Sequence, residues 1–365
     1  MWLGFVSYAL ICIFATRCEF LDRMRRIIML LYGMVLLSPL WAQTDGSGQG
    51  TGSQMEQRVS KLEKAWAAVP KVSGFINLRY AYDATSKENG FDVRRARLDF
   101  KGAVGEKMDY RLQLELAGSP KILDAYVTYR FCPGLGVQAG EFKVPFTLEN
   151  QYGPADLETI DNSMAVTYLC NYSDLSGISA NGRDVGLCLR GGLFSVKNYK
   201  FVDYALGVFN GNGINLKDNN NTKDFSGMLG IRPLKDFSLW GAYYNGIYTR
   251  EKVKHKRERS SAGLEWKSRK TLFRSEYILG NTGGMKSEGT YALAGQYVHD
   301  RVQLLLKYDY FRRDKSFSRN REHDYLVGIN YFPLKRVRLQ ANYVYKAKQG
   351  GKDVNYVAVQ CFTKF

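Results

Sequence analysis

The chain has 365 residues, and its 52 Lys and Arg outweigh 35 Asp and Glu to give a net charge of +17. That length could hold two ordinary domains, although an all-β barrel of this size runs as one. The 45% hydrophobic content, 14% aromatic content and 36 glycines suit a chain of short strands, and the basic excess points to an anionic partner.

The N-terminus reads as an export signal. Met24-Arg25-Arg26 is a basic n-region, Ile27–Leu37 an apolar h-region, and Ser38–Ala42 ends in a small residue before Gln43. The apolar run is too short to span a bilayer. We expect residues 1–42 to be a leader cleaved after Ala42, with Met24 as the true start. The alternative takes Leu3–Ala15 as the h-region, or the whole as a double-pass anchor. An exported chain does not meet nucleic acid in service, which leaves anionic solutes or lipopolysaccharide as partners.

Residues 43–53 are rich in Gly, Ser, Thr and Gln and read as a flexible linker. Over 54–70, Met55, Val59, Leu62, Trp66 and Val69 recur at steps of four and three. This is the seam of a short periplasmic helix or coiled coil, stopped by Pro70.

From Val72 the period switches to two. Val72, Ile76, Leu78, Tyr80 and Tyr82 share one face, opposite Ser73, Asn77 and Arg79. In the next segment Ala96, Leu98 and Phe100 oppose Arg95, Arg97, Asp99 and Lys101. Then Tyr110, Leu112 and Leu114 oppose Arg111, Gln113 and Glu115, and Leu123, Ala125, Val127 and Tyr129 oppose Asp124 and Arg130. Such alternation is how strands with one apolar and one wet face are written. Twelve further strands near 135–142, 184–194, 200–210, 222–231, 237–245, 258–266, 271–280, 289–298, 301–311, 323–332, 337–346 and 354–365 bring the total to sixteen.

Connections alternate between short turns, such as Gly105-Glu106 and His299-Asp300, and longer polar loops, such as Asp83–Gly90 and Gly211–Asn221. Export, about ten residues per strand and two-sided loop lengths together describe an outer-membrane barrel over 72–365. A secreted β-sandwich does not explain the two-sided loops. The fold expected is therefore an all-β, sixteen-stranded antiparallel transmembrane barrel. The outlier is Lys143–Arg183, too long for a plain connection, which we read as a loop that turns inward and narrows the barrel.

Gly140-Glu141-Phe142-Lys143-Val144-Pro145-Phe146-Thr147-Leu148-Glu149 resembles a hallmark of the phosphate-selective porin O/P family, in which a G-x-F-K-x-P-F segment opens the third extracellular loop. Asn181–Gly186 resembles that family's return into the barrel, and the tandem Arg94-Arg95 with Arg97 is similar to its second strand. The resemblance implies a sixteen-stranded barrel, usually a homotrimer, with loop three in the lumen and passive diffusion of anions, notably phosphate, past arginines and lysines. The terminal Phe365 resembles the recognition signal of barrel-assembly machinery.

If the apolar faces meet lipid, the other faces line water. The pore-lining and anion-contacting candidates are then Arg79, Arg95, Arg97, Lys101, Arg111, Arg130, Arg274, Lys307 and Arg338, with Lys143 and Arg183 at the loop's roots. Guanidinium suits phosphate or carboxylate because its donors form a planar fork. Inward arginines also pair with neighbouring carboxylates, so the bias of the whole wall is the safer reading. The loop carries Glu149, Asp156, Glu158, Asp161 and Asp174, which would face the basic wall across a narrow gap; Pro145, Phe146 and Tyr152 read as packing. Lys252, Lys254, Lys256, Arg257 and Arg259 with His255 read as an external basic run in the fifth loop.

Cys132, Cys170, Cys188 and Cys361 are scattered, without zinc-like spacing, and at most one bridge is expected. No catalytic set or cofactor motif emerges. A barrel enzyme, an esterase or a protease, would need a nucleophile beside a histidine at the rim, and only Ser316 and Ser318 near His323 offer that. A closed structural barrel is the third reading.

Overall fold

The structure, a computed structural model, describes residues 58–59, 69–196 and 198–365. The expected leader and linker lie outside the described residues, as does the expected helix over 54–70 except for Arg58, Val59, Val69 and Pro70. The barrel lies within the unit Ala65–Phe365.

Sixteen antiparallel strands close into one barrel, each paired with its neighbours in sequence and β1 (Lys71–Asp83) paired with β16 (Val354–Lys364). Between them run β2 (Asn89–Val104), β3 (Met108–Glu115), β4 (Lys121–Cys132), β5 (Leu135–Lys143), β6 (Arg183–Val196), β7 (Tyr199–Phe209) and β8 (Asp224–Leu234). The second half has β9 (Phe237–Arg250), β10 (Val253–Lys267), β11 (Thr271–Thr282), β12 (Met285–His299), β13 (Val302–Arg312), β14 (Arg321–Leu334) and β15 (Val337–Lys348). At the seam the Phe365 N–H donates to the Gly74 carbonyl at 3.0 Å and Gly74 N–H donates back at 3.1 Å. Closure gives every strand two partners and leaves no bare edge for a bilayer to solvate.

The period-two pattern dictates the two faces. Ile76, Leu78, Leu98, Leu189, Leu304, Leu306, Val327 and Leu339 all point outward, and Leu306 keeps 61% exposure outside the barrel. Asn77, Arg97, Asp99, Arg274 and Gln340 point inward and are buried. The strands outrun the sequence expectation at the long-loop end. Gly246–Arg257, expected as a loop, continues β9 and β10 through a tight turn at Glu251 and Lys252, both at positive φ.

Alternation is broken where a bulge adds one residue. The β1–β2 register passes from Asn77↔Arg95 to Leu78↔Val93, so Arg94 is the extra residue. The β3–β4 register passes from Gln113↔Asp124 to Leu114↔Ile122, so Leu123 is extra. Leu123, expected on the outer face, packs inward against Ala180 and Ile178 instead.

A candidate constriction built by the in-folded loop

The connection between β5 and β6 carries two short helices, α1 (Leu148–Gln151) and α2 (Met164–Leu169), and lies inside the barrel. Two glycines frame it. Gly140, at φ 128, sits where a Cβ would be 2.2 Å from the Ala125 carbonyl oxygen. Gly182, at φ 72, leaves a Cβ only 1.9 Å from Asn150 Oδ1. Any side chain there would displace the loop from its root.

Apolar burial drives the loop inward. Val144, Phe146, Ala165, Val166 and Leu169 form one core with the inward-facing Phe142, Phe209, Tyr244, Ile278, Tyr291, Leu305 and Phe311. This corrects the expectation that the inward faces are uniformly wet: part of that wall is a dry floor for the loop. Burying each such side chain stabilises by roughly 1.5–3 kcal/mol.

Polar groups of the wall then satisfy the loop's backbone. Glu276 accepts from Leu148 N–H at 2.5 Å, from Glu149 N–H at 3.0 Å and from the Tyr291 hydroxyl at 2.8 Å. Asp309 accepts from Met164 N–H at 2.9 Å and pairs with Lys307 at 3.2 Å. Thus each helix start, whose N–H groups lack intrahelical partners, meets a carboxylate. Asn330 and Gln340 donate to the Glu158 carbonyl at 3.0 and 2.9 Å, and Ile160 N–H donates to Asn342 Oδ1 at 2.9 Å.

Ion pairs complete the seating. Glu158 pairs with Arg274 at 3.0 Å and Lys267 at 3.1 Å, and Asp174 with Arg259 at 3.1 Å. Asp161 pairs with Arg94, which also donates to the Ile160 carbonyl at 2.7 Å. Tyr152 donates to Glu265 at 2.6 Å and stacks under the Arg274 guanidinium, 4.0 Å away. Although burial opposes ionisation, Arg274 and Lys267 hold the Glu158 carboxyl below its ordinary range. Arg94, Arg79 and Arg95 do the same for Asp161, and Arg259 and Arg257 for Asp174, again against burial.

The sequence candidates fall into two groups. Most are neutralised. Arg79 pairs with Asp92 at 2.5 Å, Arg97 with Glu115 at 2.7 Å, Lys101 with Asp99 at 3.2 Å and Arg111 with Asp99 at 2.7 Å. Arg130 pairs with Asp109, and Arg274 with Glu265 at 2.7 Å. Arg183 spends its guanidinium on Asp124 at 2.8 Å, Asn181 and Gln113. Lys143 donates to the carbonyls of Asn150 and Tyr152 at 2.6 and 2.5 Å, and Arg338 to that of Pro154 at 3.2 Å. Both root residues therefore bind the loop itself. The exception is Arg95, which has no carboxylate within ion-pair distance among the described residues. The β2 bulge sets it beside Arg94, and across from them Asp161 keeps 49% of its side chain exposed although the loop lies within the barrel. That exposure marks a water-filled gap with Arg95 on one side and the loop on the other.

Sequence reasoning missed Arg94 as a lumen residue, because a bulge is invisible to strict alternation. It also set Arg257 and Arg259 in an external basic run. Both are instead buried on the inner face of β10, where Arg257 pairs with Asp224 at 2.8 Å. They stand in phase with Glu265 along one strand, a signal the sequence did carry. His323, considered for a rim enzyme, faces outward with Nδ1 2.9 Å from the Tyr308 hydroxyl.

Comparison with known proteins agrees with this architecture. A solved anion-selective porin from Comamonas acidovorans is 15% identical with a TM-score of 0.66, over 81% of this chain and 99% of that one. Salmonella typhi OmpF, solved with daunomycin, is 11% identical with a TM-score of 0.64, over 82% of this chain and 98% of that one. At these identities the likeness is one of fold. An uncharacterized protein of Caulobacter vibrioides is 33% identical over 107 residues, which is 29% of this chain and 21% of that relative's length. The family model of phosphate-selective porins O and P matches residues 72–239. That stretch holds β1 to β8, the loop and both its glycine roots, and over it the chain is similar to the phosphate-selective porins O and P of the bacterial outer membrane.

Proposed function

We propose that this chain is a passive diffusion channel for small anionic or polar solutes, phosphate-type anions among them, with the in-folded loop setting the passage. The observation that carries the reading is Arg95. Most other inward cations are cancelled by a carboxylate or occupied by the loop, so the field in the gap comes chiefly from the Arg94-Arg95 bulge, with Lys346, against Asp161. A fixed positive charge in a narrow water path with low-dielectric walls concentrates anions. Asp161 and the Tyr172 ring lie on the loop side, which favours solutes that also carry hydrogen-bond donors.

We read the chain as a channel rather than an enzyme, as a homotrimer, and as a barrel whose terminal Phe365 is recognised by the barrel-assembly machinery. Planar-bilayer recording tests the channel: stepwise conductance with a reversal potential on the anion side in a chloride gradient, reduced by added phosphate, is expected. Absence of steps, or a cation-side reversal potential, overturns it. Esterase or peptidase turnover above that of denatured protein would overturn the non-enzymatic reading.

A further inference from the structure

Opposite charges set in register across neighbouring strands of this barrel close on each other. Arg79 meets Asp92 at 2.5 Å, Arg97 meets Glu115 at 2.7 Å and Arg274 meets Glu265 at 2.7 Å. Glu115 leaves its other in-register neighbour, Lys121, because Arg97 already holds it. Across β14 and β15, Glu322 and Lys348 close to 3.5 Å.

Two residues further into the barrel on those same strands the pairing fails. Asp324 and Lys346 stand in register on the inner face, in phase with the buried Leu326 and Val344. Their Cβ atoms are therefore about 5 Å apart. Yet among the described residues neither the carboxylate nor the ammonium has an ion-pair or hydrogen-bond partner. Lys346 is turned the other way, its Nζ 4.7 Å from the centre of the Tyr356 ring on β16. A cation over an aromatic face is held there by the ring's negative face. Asp324 finds no help on its far side either. Its in-register neighbour on β13 is Asp309, a second carboxylate, already engaged with Lys307 and with Met164 N–H.

That last hydrogen bond also locates the pair. Met164 lies three residues past Asp161 in the loop, and Lys346 is near enough to Asp161 for its charge to act there. Asp324 and Lys346 thus look onto the gap bordered by Arg95 and Asp161, and bring to it one unspent charge of each sign.

We propose that this split pair receives the head of a zwitterion, a solute carrying an ammonium beside an acid group as α-amino acids do. The inference rests on the channel reading and deepens it. The solute's ammonium lies against Asp324 and its carboxylate against Lys346. A plain anion meets Lys346 with Asp324 opposing it, and a plain cation meets the reverse. A dipolar solute satisfies both wall charges at once, and its own two charges, one carbon apart, match neighbouring side chains on adjacent strands.

The test is swelling of proteoliposomes holding the full-length protein in isosmotic alanine or lactamide. These two solutes are isomers without net charge, and only alanine is dipolar. The readout is the ratio of their entry rates, in which differences in pore number and width cancel. We expect alanine to enter about threefold faster than lactamide. Asp324→Asn and Lys346→Met should each bring the rates together. Asp324→Lys combined with Lys346→Asp should restore the preference, because the exchanged charges receive the same head turned round. Heat-modifiable migration shows that each variant is folded. Swelling in neither solute overturns the channel reading itself. Swelling at equal rates in the parent, a preference untouched by both single changes, or no recovery after the exchange overturns this inference and leaves the channel reading in place.

Discussion

The barrel's inner wall has two halves built from one alternation and put to opposite uses. Under the loop, β9–β13 turn Tyr244, Ile278, Tyr291, Leu305 and Phe311 inward, and the loop seals them dry. Across from it, β2 turns Arg94 and Arg95 toward the gap. Inward position alone therefore does not decide whether a side chain meets solute. What decides it is whether the loop covers that position.

The comparison breaks most severely where the dry half is opened. Arg274→Ala leaves Glu158 with Lys267 alone and Glu265 with the Tyr152 hydroxyl alone, and removing one partner of a buried pair costs ~3–5 kcal/mol. We expect the loop to come loose, read as larger, noisier conductance and as new cleavage between residues 144 and 182 by added protease. Ile278→Ala, at a fully buried position, should lower resistance to denaturant by ~2–4 kcal/mol without altering ion preference.

The wet half should respond the other way. Arg95→Glu is expected to reduce the anion-to-cation permeability ratio by about tenfold while leaving thermal stability close to that of the parent, since no ion pair is lost. A ratio that stays constant would move the selective charge elsewhere on the wall.

Acid should distinguish the halves more gently. Glu158, Asp161 and Asp174 are all held below the ordinary carboxylate range, so the stability they contribute is complete above their unfolded values, near pH 4. It is lost only as pH falls through the lower folded values. Protease resistance of the loop should fall as the pH drops below about 4. Smallest of all, Lys101→Gln removes an exposed partner of Asp99 and should shift stability by no more than about 0.5 kcal/mol.

Much of this was legible in the residues. Period-two alternation has a direct physical cause, because successive Cβ atoms point to opposite faces, and it located all sixteen strands. The loop was legible from its length and its Gly140–Glu149 segment. Three things were not. The bulges at Arg94 and Leu123 arise from pairing with β1 and β3, which one strand's own pattern does not reveal. The dry floor depends on contacts between residues far apart in sequence, such as Phe146 with Tyr244. The pairing of Lys143 and Arg183 with the loop and with Asp124 depends on side-chain reach, so their expected contact with solute gave way to a pinning role.

The positions of the loop's anchors set an order of events. Arg257, Arg259, Glu265, Arg274, Glu276, Asp309, Asn330 and Asn342 all follow the loop in the chain, most of them by more than eighty residues. The segment therefore emerges long before the surfaces that will seat it exist, and the distant contacts must be gathered first at an entropic cost. The cylinder should accordingly mature as a wide, unobstructed tube, and the narrowing should be the closing step of its biogenesis.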